Sequence, residues 1–201
     1  MLTSDSDTAP DDLPFRSARA HARCLNGHLQ EVAGGGRSHH RRLRLETLTC
    51  ELCWSLRLPR SRWFVVEHAT LTLPDQVAAH RRDQPVTLAA RPPAVCAGVG
   101  RIELRIYGEV FGWVDVQLCG IERRGVLVNV TVADQHRRRG IGGVLLDVAL
   151  ARGPGYTWST CKLGDDVATR AFWASLDLGE PIQAGEPFYC SHMLQANGEW
   201  A

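Results

Sequence analysis

A β-prone run from Val126 to Val132 is followed by Arg137-Arg138-Arg139-Gly140-Ile141-Gly142-Gly143, and then by Val144, Leu145, Val148, Ala149 and Leu150 at helical spacing. Few architectures place a strand, a basic glycine turn and an apolar helix in that order. The first N–H groups of a helix have no partner within it and point at whatever lies ahead of its start. Gly140, Gly142 and Gly143 allow close backbone approach there, and Arg137, Arg138 and Arg139 add charge and forked donors. A phosphate-like anion is the expected occupant. A nucleotide-hydrolysing loop would follow its glycines with Lys-Ser or Lys-Thr, which this one does not. A dinucleotide fold would put its glycines after the first strand of a parallel sheet, whereas several β-prone runs precede this loop.

Those runs are Trp63 to Leu73, Val86 to Ala89, Ile102 to Tyr107 and Phe111 to Leu118, separated by turn residues in the manner of an antiparallel meander. Asp75 to Asp83 reads as a short helix between the first two. Gly142 to Ala151 reads as a helix ended by Gly153-Pro154-Gly155. Tyr156 to Cys161 alternates like a strand, Asp165 to Leu176 reads as a second helix opened by acidic residues, and Phe188 to Leu194 reads as a last strand. This order predicts an α/β chain of the α+β type, with a mixed and mainly antiparallel sheet flanked by helices.

The 201 residues suffice for one ordinary domain with a small appendage, and 44% hydrophobic with 22% charged residues suits a packed core. A net charge of +1 gives no global field toward nucleic acid or an anionic membrane. Residues 1–14 are rich in Ser, Thr, Asp and Pro and read as a disordered tail without the pattern of a secretory leader. No stretch approaches the roughly 18 to 20 apolar residues of a membrane span, so no membrane is expected and the location is expected to be cytoplasmic. In that setting seven cysteines point to thiols or metal ligands rather than disulfides.

Cysteine and histidine concentrate between His21 and Cys53. Cys24 and His28 form one short pair, Cys50 and Cys53 another, and tetrahedral zinc favours two such chelating pairs joined by a loop. The four make a set of structural zinc ligands, for which His21, His39 or His40 are possible substitutes. Arg37, Arg41, Arg42 and Arg44 lie between the pairs and are candidates to touch nucleic acid or an acidic protein, although a solvated loop is the commoner role of such a run. The organisation expected is a tail over 1–14, a module resembling a zinc ribbon over 15–62, and a larger domain over 63–201.

From Ile102 to Leu178 the chain resembles the GNAT superfamily of acyl-CoA-dependent N-acyltransferases. The family's loop, Arg or Gln, two residues, Gly, one residue, then Gly or Ala, is matched by Arg137, Gly140 and Gly142. The resemblance implies acetyl-CoA as co-substrate, with its pyrophosphate on Arg137, Arg138, Arg139, Gly140, Ile141, Gly142 and Gly143. It also implies a pantetheine arm along the backbone of Val130, Thr131 and Val132, and a V-shaped split in the sheet at the strand Tyr156 to Cys161. An amine would attack the thioester directly, with no metal in the chemistry. Trp173 stands where many relatives carry a tyrosine acid, Asp177-Leu178 where a Gly-Phe usually ends the helix, and Asp166 where Asn is common. An indole N–H donates a hydrogen bond but does not act as a proton-transfer acid. Glu109, Asp115 and Asp134 are base candidates by position and His136 by its ordinary pKa, and the sequence singles out none of them. The weakly defined segment between Trp63 and Gly100 suggests an open acceptor pocket suited to a peptide or protein amine. The alternative is a weakly catalytic protein that senses acyl-CoA and uses its zinc module to recognise nucleic acid or a protein.

Overall fold

The structure, a computed structural model, describes residues 13–17, 24, 26–29, 35–40, 45–67, 71, 85–176 and 182–198. Two sheets form. The first holds β1 (Phe15–Ser17), β2 (Gly35–His40), β3 (Leu45–Cys50) and β4 (Arg62–Val66) in the order β1-β4-β3-β2, with helix α1 (Glu51–Ser55) after β3. The second holds β5 (Val86–Arg91), β6 (Val99–Ile106), β7 (Glu109–Cys119), β8 (Arg124–Val132), β9 (Thr157–Thr160) and β10 (Ile182–Gln183) in the order β10-β9-β8-β7-β6-β5. Pairing is antiparallel except for β1 with β4, β8 with β9 and β9 with β10. Helices α2 (Ile141–Leu150), α3 (Val167–Ala174) and α4 (Ser191–Ala196) complete the mixed, mainly antiparallel α+β fold that the sequence predicts. No helix among the described residues is long and apolar enough to cross a membrane.

The period-two alternation of β5 to β7 decides which way this sheet faces. Leu88, Ile102, Leu104, Ile106, Val114 and Val116 lie on one face and share a core with α2. Glu103, Asp115 and Gln117, equally buried, occupy the other face and are held by polar partners. Helix α2 is covered almost all round, since eight of its ten residues are buried. Its second cover is the four-stranded sheet, whose Phe15, Phe64 and Val66 belong to the same core as Ile141, Val144 and Leu145.

Strand β4 joins two environments by alternation alone. Phe64 and Val66 point into the large core, while Trp63 and Val65 point the other way, toward Cys24, Leu48, Cys50 and Cys53. A boundary between residues 62 and 63 therefore passes through a strand. Leu13, at the end of the expected tail, is buried in the large core. Of the expected strand from Trp63 to Leu73, Arg62–Val66 is observed as strand while residues 68–70 and 72–73, like the expected helix Asp75 to Asp83, lie outside the described residues.

One expected element is corrected. The run Phe188 to Leu194 is not a strand: it is extended through Cys190 and then turns into α4. Helical geometry drops Met193, fully buried, beside Cys119, Val126 and Cys190, and presents its carbonyl to Gln117 Nε2 at 3.2 Å. Tertiary packing overrides the β propensity of a short aromatic run.

Gly140 fixes how the two sheets meet. It N-caps α2 with φ of 79°, and a Cβ there would lie 2.0 Å from the Phe15 carbonyl oxygen. The same crossing is held by the Phe15 N–H, which donates to the Arg139 carbonyl at 2.5 Å. Gly140→Ala is expected to lose about 2–4 kcal/mol of stability in urea unfolding, from the left-handed backbone and the backbone clash together. A loss under roughly 0.5 kcal/mol would mean that Phe15 does not cross the loop.

Candidate functional site

Strand β8 carries the site because its two edges are treated differently. On one edge it pairs with β7 along its whole length; on the other it pairs with β9 only from Arg124 to Leu127. Val128 is an extra residue between the pairs Asp115–Asn129 and Val116–Leu127, a bulge that bends the strand. A last bond from the Cys161 N–H to the Leu127 carbonyl, at 3.1 Å, marks where the strands part. Beyond it, β8 has no strand on that edge among the described residues. A cavity of about 190 Å³ fills the opening, lined by residues 127–130 of β8, Thr160 at the end of β9, residues 161–164 after it, and Thr169, Phe172 and Trp173 of α3. Asn129, exposed on the bulged strand, donates to Thr131 Oγ1 at 3.0 Å.

The basic loop adjoins this opening through α3. A Cβ on Gly142 would meet the Phe172 ring at 2.9 Å, so that glycine seats the aromatic side chain that also lines the cavity. Gly143 faces open space. Arg137 pairs with Asp134 at 2.7 Å and donates from Nε to the Val132 carbonyl at 3.3 Å. Both partners of that pair are exposed, so an anion could displace it at little cost. Arg138 is exposed with φ of 62°, and the Arg139 guanidinium lies 5.4 Å from the centre of the Phe15 ring. The three glycines thus do different work: Gly140 admits Phe15, Gly142 admits Phe172, and Gly143 leaves the front of α2 clear.

Of the catalytic candidates, Trp173 lies in the cavity wall, and its ring sits edge-on to Phe172 at 5.6 Å. Glu109, Asp115, Asp134 and His136 do not line the cavity. Asp115 is held by Arg101 through bonds of 2.6 and 3.0 Å. Glu109 is exposed at the start of β7, and Asp134 is exposed at the turn after β8. His136 stacks on Phe111 at 3.6 Å, and its Nδ1 is buried with no partner among the described residues. Burial, then the positive charge of Arg139, push its pKa below the ordinary imidazole value, against a weaker opposing pull from Glu109. Asp166 caps α3 by accepting the Thr169 N–H at 2.8 Å, and hydrogen bonding from the Thr169 side chain, then from this N–H, holds its carboxylate below the usual range. Sequence reading missed Asn129, Cys161, Lys162 and Phe172 as lining residues, since only the bulge and the parting of the strands turn them toward one space.

Cys24, His28, Cys50 and Cys53 converge, with all four donor atoms within 4.8 Å of one another. Cys24 and His28 sit in a tight turn closed by the Cys24 N–H on the His28 carbonyl at 2.8 Å, with Gly27 at φ of 88°. Cys50 ends β3 and Cys53 lies in α1. His28 Nδ1 is 3.1 Å from Cys53 Sγ, 3.5 Å from Cys24 Sγ and 3.8 Å from Cys50 Sγ, and the Cys24 and Cys53 sulfurs are 3.6 Å apart. Zinc bonds of about 2.3 Å to sulfur and 2.0 Å to nitrogen set tetrahedral edges of roughly 3.5 to 3.8 Å, so the donor set fits such an ion. Burial opposes ionisation of Cys24, but the Asn26 and His28 N–H groups and the neighbouring thiols outweigh it and lower its pKa. Burial pushes Cys53 up to about 11. His39 and His40 lie in β2 away from the cluster, and His21 lies outside the described residues.

No family model matches the chain, and no curated protein matches it. Among solved structures it is similar to an aminoglycoside acetyltransferase from an uncultured soil metagenomic sample, at 20% identity and a TM-score of 0.33. That likeness spans 46% of this chain and 64% of the other, and at this score it adds nothing to the fold described above.

The His136 environment predicts a pH dependence. Because the folded-state pKa is lowered, the unfolded chain binds more protons just below the ordinary value, so stability is full above about pH 6.5 and falls as pH drops through it. His136→Phe keeps an aromatic ring on Phe111 and removes the titration. Unfolding measured between about pH 7 and pH 5 should show wild type losing stability relative to the variant, and parallel curves would refute the assignment.

Proposed function

We propose that this chain is an acyl-CoA-dependent N-acyltransferase that moves an acetyl group from acetyl-CoA to an amine. The observation that carries the reading is the parting of β8 from β9 after Leu127, with an opening of about 190 Å³ beside a basic loop at the start of a ten-residue helix. Bound acetyl-CoA would supply the activated acyl group. The N–H groups at the start of α2, with Arg137 and Arg138, hold the pyrophosphate, and Gly143 leaves that approach clear. The free edge of β8 from Val130 to Val132 offers backbone groups to an amide-bearing arm, as one more strand would. Attack by the amine needs its nitrogen close to the thioester and stripped of water, and the apolar walls from Leu127, Val130, Phe172 and Trp173 serve both needs. A peptide or protein amine is the acceptor class most in keeping with an open pocket.

The second reading is a protein that binds acyl-CoA without efficient turnover. It is favoured by Trp173, whose indole occupies the cavity wall where a proton donor to the departing thiolate would be useful. In both readings Cys24, His28, Cys50 and Cys53 hold a structural zinc, since four protein ligands leave no position for a substrate.

Acetyl-CoA should raise the thermal midpoint of the purified chain by mass action, and Gly143→Leu should abolish the rise while leaving the unliganded midpoint nearly unchanged. An undiminished rise in the variant would move the pyrophosphate elsewhere. Thiol release from acetyl-CoA with amine, peptide and protein acceptors separates the two readings: binding without release favours the sensor.

For the metal, Cys53→Ser should lower bound zinc by about one ion per chain and red-shift fluorescence from Trp63, which is fully buried against the cluster. Equal zinc content in wild type and variant would exclude these ligands.

A further inference from the structure

A second group of soft donors lies on the opposite side of the six-stranded sheet from α2. Cys119 ends β7, Cys190 is the N-cap of α4 and His192 follows two residues later. Their three donor atoms lie within 4.8 Å of one another, and His192 Nδ1 is 3.8 Å from Cys119 Sγ. Cys119 and Cys190 are buried beside Val126 and Met193, and His192 is half-buried. Cys119 and Cys190 are separated in sequence by three strands of the six-stranded sheet and by α2 and α3, so the fold rather than local spacing brings them together.

We propose that Cys119, Cys190 and His192 form a second metal site, which takes zinc with two thiolates and one imidazole, the three donors that the described residues bring together there. Three observations support it. The donor types are those that select zinc over hard cations, and the 3.8 Å separation suits neighbouring vertices of a tetrahedron around such an ion. The Glu122 N–H points at Cys119 Sγ at 3.5 Å, as the Asn26 and His28 N–H groups point at Cys24 Sγ at 3.3 Å in the four-donor cluster. Backbone donors aimed at sulfur stabilise a thiolate. Finally, Cys190 and His192 form a short chelating pair whose imidazole reaches the surface, and this gives an incoming ion a path to two buried sulfurs. On binding, both thiols lose their protons to solvent while His192 stays neutral, so uptake releases about two protons per ion.

With three ligands rather than four among the described residues, the site is expected to be more labile than the first. Water or another donor fills the remaining vertex. The proposal does not depend on acyltransferase activity, and its test needs none.

The experiment uses the full chain, reduced and equilibrated with buffered zinc, with metal counted by native mass spectrometry. Wild type is expected to carry about two zinc ions and His192→Ala about one, with far-UV circular dichroism unchanged because His192 is only half-buried. Zinc should also slow alkylation of Cys119 and Cys190 in the wild-type chain by at least about tenfold, read peptide by peptide, and a metal-shielded thiolate is the reason. Equal zinc content in wild type and His192→Ala, or alkylation of Cys119 and Cys190 indifferent to zinc, overturns the proposal.

Discussion

The contact on which the rest of the structure depends is the crossing of Phe15 over Gly140. The Phe15 N–H donates to the Arg139 carbonyl, and the Phe15 carbonyl occupies the space a side chain at 140 would need. This crossing pins the four-stranded sheet to the start of α2. Helix α2 is then enclosed between two sheets, and its apolar residues all contribute to one core. The N-terminal part of the chain is thereby a structural component of the basic loop, rather than an appendage hung behind it. Arg139 is drawn into this role by its place over the Phe15 ring, which leaves Arg137 and Arg138 as the more accessible cations of the three.

Much of this was legible in the sequence, for physical reasons that differ between segments. The strands from Ile102 to Val132 and helix α2 follow from strong periodicity, with apolar residues on every second position and then at helical spacing. The four-donor cluster was legible because metal chelation favours short pairs, and Cys24 with His28 and Cys50 with Cys53 are such pairs. The second cluster was not, because Cys119 has no partner nearby in sequence. The helix at Ser191–Ala196 was also missed, since its residues favour a strand locally and only the burial of Met193 decides against it. The cavity lining depends on one inserted residue, Val128, that no composition or spacing announces.

Strand β4 shows how a small Cys/His cluster and a larger core can be built without a linker between them. Trp63 and Val65 close over the sulfur cluster, and Phe64 and Val66 close over α2. Loss of the proposed zinc would remove support from one face while the other stayed anchored by apolar burial. That anchoring is what distinguishes this arrangement from a separate finger, in which the ion supplies nearly all the folding free energy. The Pro14 carbonyl, which accepts the Phe64 N–H at 2.7 Å, ties the chain ahead of β1 into the same anchored face.

Trp173 bears most directly on whether the proposed chemistry is efficient. In direct attack on a thioester, the departing thiolate needs either a proton or stabilisation of its charge. An indole N–H can give the second but not the first, through a hydrogen bond to an anion worth about 1.5–3 kcal/mol. A coenzyme thiol is far more acidic than an alkoxide, with an ordinary thiol pKa near 8.5, so the missing proton is a smaller handicap here than in oxygen-leaving chemistry. The thiolate can depart unprotonated if the cavity stabilises it and solvent protonates it afterward. Placing Trp173 in the wall, with its ring braced edge-on by Phe172 and Phe172 seated on Gly142, ties that indole through Phe172 to the helix whose N-terminus is proposed to hold the phosphates of acetyl-CoA. In the proposed reaction the aromatic pair would link the binding of the phosphates to the place where the leaving sulfur emerges, and positioning rather than acid catalysis would be the protein's main contribution.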